Sequence, residues 1–416
     1  MLQLILGRAG SGKTYRIREQ VKQLAEQNTE KIMLLVPEQY SFESEKAMLK
    51  LLGPKQVNKV QVMSFTRLTD MAFRSYGGSG IAKLDDGGRN IFMSLALEEV
   101  KEELEFYVTR VEELIPFMLS MSAELKMCAI APAVLLETAQ QTEDKKLKQK
   151  LKEVGMILSA YDALVAQSYL DPLDDLQRLK HTFTEHRFFE GYHIYIDSFE
   201  GFTQQEFDLI ELMLSQASEV TVSLSCDTLD NQIGAEVFAR VRHTANVLMR
   251  MARQHHVQVS APIVLEPGIR FATEDLKHLE HQIFRVEKEP LSNVSDAITL
   301  YSGETVYHEA AYIGATIRHL VMNEGYQYQD FAIIARSLDH YRGILDVTLE
   351  QYEVPYFMDT PRSVYAEPLM CLVLYALQIL KSNFSSDDMF VYLKTGLAGL
   401  TPYEISLLEN YTFLWS

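Results

Sequence analysis

The segment that most restricts how this chain can fold is Gly7-Arg8-Ala9-Gly10-Ser11-Gly12-Lys13-Thr14, a full match to the pattern GxxxxGK(S/T). Before it stand Leu2, Leu4, Ile5 and Leu6, the short apolar run of a buried parallel strand. After it Ile17, Val21, Leu24 and Ala25 fall at i, i+4, i+7 and i+8, one face of a helix. A glycine-rich loop between strand and helix lets successive N–H groups face one anion, and the helix N-terminus adds about half a positive charge. In that setting Lys13 reaches the β- and γ-phosphates of a nucleotide and the Thr14 hydroxyl ligates Mg²⁺.

Composition places the loop in an acidic chain. Of 416 residues, 39 are Lys or Arg and 57 are Asp or Glu, a net charge of −18. Such a chain is no coat of positive charge for DNA, so a nucleic-acid site must be a local patch or be shared with a partner. The three cysteines (Cys128, Cys226 and Cys371) form no CxxC pair. That argues against a disulfide framework or a self-contained metal cluster and fits a reducing cytoplasm. No apolar run approaches the roughly 18 residues of a membrane span, and the N-terminus lacks the marks of a signal peptide. A soluble, intracellular protein is expected.

Further strands are predicted at Lys31–Val36, Val60–Phe65 and Tyr192–Asp197, and where Val220, Val222 and Leu224 alternate. Three strand–helix units in the first 75 or so residues predict a doubly wound α/β core. From Asp86 to Ser168 only helical patterns occur, at Ile91–Leu104, Leu114–Met127, Pro132–Gln140 and Leu147–Val165. Thr203-Gln204-Gln205-Glu206 has the form of a capping box. A second βαβ unit is predicted from strands Ala297–Tyr301 and Phe331–Ala335 around a helix carrying Ala310, Ile313, Ile317 and Leu320. The domain plan is an α/β domain of residues 1–85 and 169–285, a helical insertion at 86–168, and a second, incomplete α/β domain at 286–416 that includes the start of a further helical insertion.

Asp197 ends its strand at the edge where doubly wound sheets bind ligands, which makes it the candidate Mg²⁺ ligand beside Thr14. Gln39 and Ser41 after the second strand, and Phe65, Thr66 and Arg67 after the third, fall on the same rim. Amide, hydroxyl, aromatic ring and guanidinium together can grip single-stranded nucleic acid, although Phe65 alone reads as core and Ser41 alone as a cap. Lys145, Lys146, Lys148, Lys150 and Lys152 read as a solvated face wrapped around a helix, with electrostatic support for DNA as the alternative. His255-His256 has no metal-ligand company. No nucleophile elbow, zincin motif or EF-hand loop occurs.

The order of segments resembles superfamily 1 helicases of the UvrD/RecB type, and more closely the N-terminal part of the AddB family of helicase/nuclease subunits. The resemblance is carried by GRAGSGKT, LLVPEQYSFESEKAML (Leu34–Leu49), VMSFTRL (Val62–Leu68), YIDSFEGFTQQEFDLI (Tyr195–Ile210), LEPGIRF (Leu265–Phe271), FAIIARS (Phe331–Ser337) and VPYF (Val354–Phe357). It implies a P-loop RecA-like parallel-sheet domain followed by a second RecA-like α/β domain. It further implies ATP and Mg²⁺ as ligands, with Arg270 reaching the γ-phosphate from across the sheet or a domain boundary. An AddA-type partner in a heterodimer is implied too, acting on double-stranded DNA ends and the emerging single strand in recombinational repair, with recognition of Chi. The family's nuclease domain and 4Fe-4S cluster lie downstream of the segments present, so the chain reads as an N-terminal piece lacking both.

At position 198 an ATP-hydrolysing helicase carries a Glu that positions water, whereas this chain has Ser198. Loss of a general base lowers rates by about 10²–10⁴, so hydrolysis is expected to be weak, with Glu200 as the candidate substitute. An active DNA translocase and a small-molecule P-loop kinase are the competing readings. The large helical segment and the absence of an obvious phosphate-acceptor site argue against the kinase.

Overall fold

A computed structural model describes residues 1–415 apart from 28, 79, 108–110, 231–235, 267, 285–287, 293–295 and 359–363. The chain divides into two compact units, Met1–Ile298 and Thr299–Ser416.

In the first unit β1 (Leu2–Leu6), β2 (Ile32–Leu35), β3 (Val60–Met63), β4 (His193–Ile196), β5 (Glu219–Leu224) and β6 (Ile263–Val264) pair in the order β3-β2-β4-β5-β1-β6. Every pairing is parallel, so all six carboxyl ends lie along one edge. After β1, β2 and β3 come α1 (Lys13–Glu26), α2 (Ser41–Gln56) and α3 (Phe65–Tyr76). α2 bends at Gly53-Pro54, where Gly53 takes φ 70°, a kink that proline explains. Four helices come next, α4 (Asp86–Val100), α5 (Val111–Met127), α6 (Pro132–Gln141) and α7 (Lys145–Ala166), with no strand among the described residues between them. α8 (Asp175–His186) leads into β4, α9 (Gln204–Gln216) into β5, α10 (Ala239–Gln254) into β6, and α11 (Glu274–Gln282) follows.

The strands are apolar on both faces because helices cover both. Leu4, Leu6, Met33, Leu35, Ile194 and Ile196 face the side chains of α3, α8, α9 and α10. Ile5, Ile32, Leu34 and Val62 face α1 and α2 on the other side. At about 1.5–3 kcal/mol per buried aliphatic side chain, these two layers hold the sheet flat against its helices. The predicted capping box forms at the start of α9: Glu206 N–H donates to Thr203 Oγ1 at 3.3 Å, and Thr203 N–H donates to the Glu206 carboxylate at 2.7 Å.

α4, α5 and α7 share a separate core containing Met93, Leu97, Met118, Ile157 and Tyr161. The chain leaves for these helices and returns from them side by side, through a parallel bridge of Lys83 with Leu170. Leu84 N–H donates to Leu170 O at 2.9 Å and Leu170 N–H to Ala82 O at 3.0 Å. Lys126 links this core to the returning chain with contacts of 3.0 Å to Asp171, 2.8 Å to Asp174 and 3.3 Å to Asp162.

The second unit contains α12 (Val306–Asn323), α13 (Leu345–Gln351), α14 (Pro368–Lys381), α15 (Ser386–Leu393) and α16 (Pro402–Trp415). α12 and α13 pack through Ala310, Ile317, Leu345 and Leu349. Here the sequence expectation is corrected. Ala297–Tyr301 and Phe331–Ala335 are not strands, and the described residues of 299–416 include no strand, so no second sheet forms among them. A strand needs neighbours to take its N–H and C=O groups, and none is there. Leu300 is accordingly 97% exposed and Ile334 92% exposed. Among the described residues, no single helix is long and apolar enough to cross a membrane.

Candidate functional site

β1 runs into a loop closed by α1, and each glycine in the loop has its own reason to be there. Gly10 and Gly12 take φ 75° and 88°, a region that costs an L side chain about 1–2 kcal/mol. At Gly7 the reason is space, since a Cβ would lie 2.2 Å from Ser11 Oγ. Ser11 is buried, and its Oγ has no hydrogen-bond partner. Ala9 is exposed at the tip of the loop and Thr14 is half-buried in the first turn of α1.

Lys13 folds back over the loop, donating from Nζ to Gly7 O at 2.7 Å and to Arg8 O at 3.0 Å. Burial holds its ammonium below the usual lysine range; Asp197 opposes that shift most strongly, while Arg270 adds to it. These charges form one electrostatic set around the ammonium. Asp197 closes β4 and is 3% exposed. It accepts a short hydrogen bond from Ser223 Oγ on β5, the strand that separates it from β1. Its own N–H donates to Leu35 O at 3.0 Å.

This group of residues fits a Mg²⁺–triphosphate. An orphaned buried hydroxyl beside a helix N-terminus, two glycines in left-handed backbone and an ammonium held only by carbonyls are a donor set for an anion. The Thr14 hydroxyl and the Asp197 carboxylate are hard oxygen donors of the kind Mg²⁺ takes.

Arg8 has a different part from the one the motif suggests. Its side chain turns away from the loop and is 5% exposed. Nε donates to Glu280 Oε1 at 2.9 Å, Nη2 to Glu280 O at 2.6 Å and Nη1 to His281 O at 3.4 Å, so the loop is tied to the end of α11. Arg270, expected to arrive from across the sheet or from another domain, belongs to the same unit as the loop. Its N–H donates to Gly10 O at 3.1 Å, and its side chain lies against Gly10, where an added Cβ would sit 3.1 Å from Arg270 Cβ.

Ser198 takes φ 67° and is exposed. Glu200 is exposed and lines a cavity of about 830 Å³ with Phe202, Arg240 and His243. Cys226 follows β5 in the interior, where burial pushes its thiol up to about 11, so it stays protonated. The three cysteines are all free, and the described residues contain no cluster of metal ligands.

On the neighbouring rim, the five candidates for gripping a strand divide. Gln39 and Thr66 are exposed. Ser41 is buried, with its Oγ donating to Glu38 O at 2.8 Å. Phe65 lies in the core, edge-on to Phe199 with ring centres 5.8 Å apart. Arg67 is half-exposed and paired with Glu45 at 2.7 Å. Sequence reasoning missed Ser64, which caps α3 by accepting from Arg67 N–H at 3.1 Å and also donates to the Glu38 carboxylate. A serine directly before a helical pattern was the signal available for it. It missed Ser223 and Glu280 as well, since nothing in a linear pattern pairs either with the loop.

Residues 4–280 match the family described as ADDB, N-terminal. The chain is 31% identical, over 99% of its length, to the B subunit of the ATP-dependent helicase/deoxyribonuclease of Clostridium kluyveri (strain NBRC 12016), covering 36% of that protein. It is 30% identical over 99% of its length to proteins of the same name from Clostridium novyi (strain NT), of which it covers 37%, and Clostridioides difficile (strain 630), of which it covers 36%. The chain therefore spans little more than a third of the length of these relatives.

Proposed function

We propose that this chain, which belongs to the AddB family, binds ATP with Mg²⁺ in the loop after β1 and holds single-stranded DNA along the adjoining rim. It would do so as the helicase-like part of a two-subunit helicase/nuclease that processes broken DNA ends for recombination and recognises Chi. The partner in this reading is an AddA-type protein. Residues 1–85 and 169–285 are read as a RecA-like domain and 86–168 as its helical insertion.

The observation that carries the reading is the convergence of Lys13, Asp197 and the unpartnered Ser11 hydroxyl around a glycine loop that only glycine's backbone can form. Lys13 and the loop N–H groups would hold the phosphates, while Thr14 and Asp197 would hold Mg²⁺. Bound ATP supplies a phosphoanhydride whose cleavage needs an activated water. Ser198 has no carboxylate to activate one, so the site is read as a binding site with weak hydrolysis of its own. On the rim, Gln39 and Thr66 are the exposed groups available to a strand.

The test is a titration of a fluorescent ATP analogue against the chain with and without Mg²⁺. Saturable, Mg²⁺-enhanced binding is expected, lost in Lys13→Ala and made Mg²⁺-independent in Asp197→Asn. Absence of binding by the unaltered chain, alone and with an AddA-type partner, rejects the nucleotide assignment. DNA-stimulated hydrolysis at the rate of an ordinary helicase, with the partner's own ATP site disabled, rejects the weak-hydrolysis part.

A further inference from the structure

One buried charge of the first unit has no place in the roles given to the loop and the rim. Arg242, in the first turn of α10, is 6% exposed, and its Nε and Nη1 have no hydrogen-bond partner. Among the described residues no carboxylate pairs with it. The acids around the loop are committed elsewhere, Glu280 and Asp227 to Arg8 and Asp197 to Ser223. Arginine keeps its charge at any ordinary pH, and a buried charge with no counter-ion is costly to a fold. On a chain of net charge −18, acidic partners are not scarce. An unpaired buried guanidinium there marks a place where the partner comes from outside.

The position of α10 indicates which anion that is. The helix follows β5 and begins at the carboxyl edge of the sheet, the edge occupied by the loop after β1. Phe238 stands one turn before Arg242 and so on the same face. The guanidinium carbon of Arg8, in the loop, lies 5.2 Å from the centre of the Phe238 ring. Arg242 is therefore on the side of α10 that meets the loop. The Cys226 thiol, just past β5, feels the positive charges of both Arg242 and Lys13, and Lys13 in turn feels Asp197 and Arg270. Arg242 thus joins the electrostatic set around the Lys13 ammonium. β5 stands between β1, which leads into the loop, and β4, which leads into Asp197. Its end borders the part of a nucleotide that Lys13 and Mg²⁺ would share, the β- and γ-phosphates.

We infer that Arg242 binds the terminal phosphate of the nucleotide and gives the site a preference for a triphosphate over a diphosphate. A guanidinium offers forked donors that phosphate oxygens accept in pairs. The inference deepens the nucleotide part of the proposed function and rests on it. With Ser198 in place of a water-activating carboxylate, the added cation serves to hold and discriminate the nucleotide. Without nucleotide the guanidinium burdens the fold, and with nucleotide its charge is matched. A purely structural arginine has the opposite signature, because the empty chain depends on it.

The experiment uses the full chain and two variants: Arg242→Met, which fills the space without the charge, and Arg242→Lys, which keeps the charge without the fork. Each is melted without nucleotide and titrated with ATP and with ADP in the presence of Mg²⁺. Empty Arg242→Met should melt higher than the unaltered chain, because an unmatched buried charge has been removed. Its ATP affinity should fall about tenfold to a hundredfold, the worth of a charge-assisted hydrogen bond, while its ADP affinity changes by less than about threefold. Arg242→Lys should keep part of the preference for ATP. Unchanged ATP affinity in Arg242→Met overturns the inference alone, as does an equal loss for ATP and ADP. A lower melting temperature of empty Arg242→Met also overturns it and makes Arg242 a counter-ion within the fold. Failure of the unaltered chain to bind either nucleotide, alone and with an AddA-type partner, rejects the nucleotide reading itself.

Discussion

Replacing Arg8 by Met separates two roles that the loop motif cannot distinguish. As a loop residue Arg8 is expected to touch nucleotide; in the fold its guanidinium is tied to α11 and lies 3.5 Å from Asp227. The side chain is 5% exposed and that of Glu280 is 19% exposed. Removing one partner of a buried ion pair costs about 3–5 kcal/mol, because the other charge and its acceptors are left unmet. Glu280 retains some access to water, which puts the expected loss near the lower end, about 3 kcal/mol. Glu280→Gln keeps both backbone acceptors of Arg8 and removes one charge-assisted bond, about 1.5–3 kcal/mol. The double variant should therefore fall short of the sum of the two. Urea unfolding followed by far-ultraviolet circular dichroism reads the loss through the helices of the first unit; the single tryptophan, Trp415, belongs to the second. ATP affinity of the folded Arg8→Met chain should fall by less than about tenfold. A stability change below about 1 kcal/mol together with abolished ATP binding would refute the tether and make Arg8 a ligand residue.

Three further outcomes follow from local geometry. Gly12→Ala meets only Ile269 Cδ1, at 3.6 Å, so its cost is conformational, about 1–2 kcal/mol in melting experiments, with weakened ATP binding as the loop relaxes. Burial alone would raise the pKa of Glu153, but its three backbone donors and Gln149 outweigh that and hold it below the usual carboxylate range. Its stabilising contribution is therefore present above about pH 4.3 and is lost as pH falls through the lowered value; Glu153→Gln should flatten that acid limb and cost about 1–3 kcal/mol at pH 7. Lys126→Met should cost about 3 kcal/mol at neutral pH by removing the nearest cation of the buried Asp171, which keeps Arg89 at 3.9 Å and the Tyr161 hydroxyl at 3.3 Å. Burial would lower Lys126, yet Asp162, Asp174 and Asp171 hold it above the usual range, so the Lys126 contribution persists below about pH 10.4 and fades at higher pH.

The first unit was legible because its signals are local and mutually consistent. A glycine-rich loop between an apolar run and an amphipathic helix can be read in a dozen residues, and so can the Thr203–Glu206 box. Strand ends came out one or two residues long, as at Val60–Phe65 against the observed Val60–Met63, because Ser64 caps a helix that takes Phe65 into its first turn. The second unit misled for the opposite reason. The pattern at 297–301 and the unbroken apolar run at 331–335 both read as strands, but pairing is a property of neighbours, and a linear pattern cannot supply them. Two of the rim candidates turn inward for the same kind of reason. Phe65 and Ser41 carry the right chemistry, yet whether an aromatic ring or a hydroxyl faces water depends on packing against Phe199 or bonding to Glu38, which are far away in sequence or carry no linear signature.

The order of the strands explains how residues so distant in sequence come to share one charge environment. After β1 the chain does not place β2 alongside; it leaves room for two strands, which are filled by β5 and β4 only after the helices of 86–166 have been completed. β5 then stands between the loop on β1 and the carboxylate on β4, and it contributes Ser223, whose hydroxyl fixes that carboxylate from the side. β6 closes the other flank of β1 and delivers Arg270 to Gly10. A parallel sheet sends every strand's exit to one edge, so each inserted strand adds a residue to the same crevice. The site is thus a consequence of insertion order: the loop motif is encoded in eight consecutive residues, and its surroundings are assembled from segments up to about 270 residues away that only the sheet brings together.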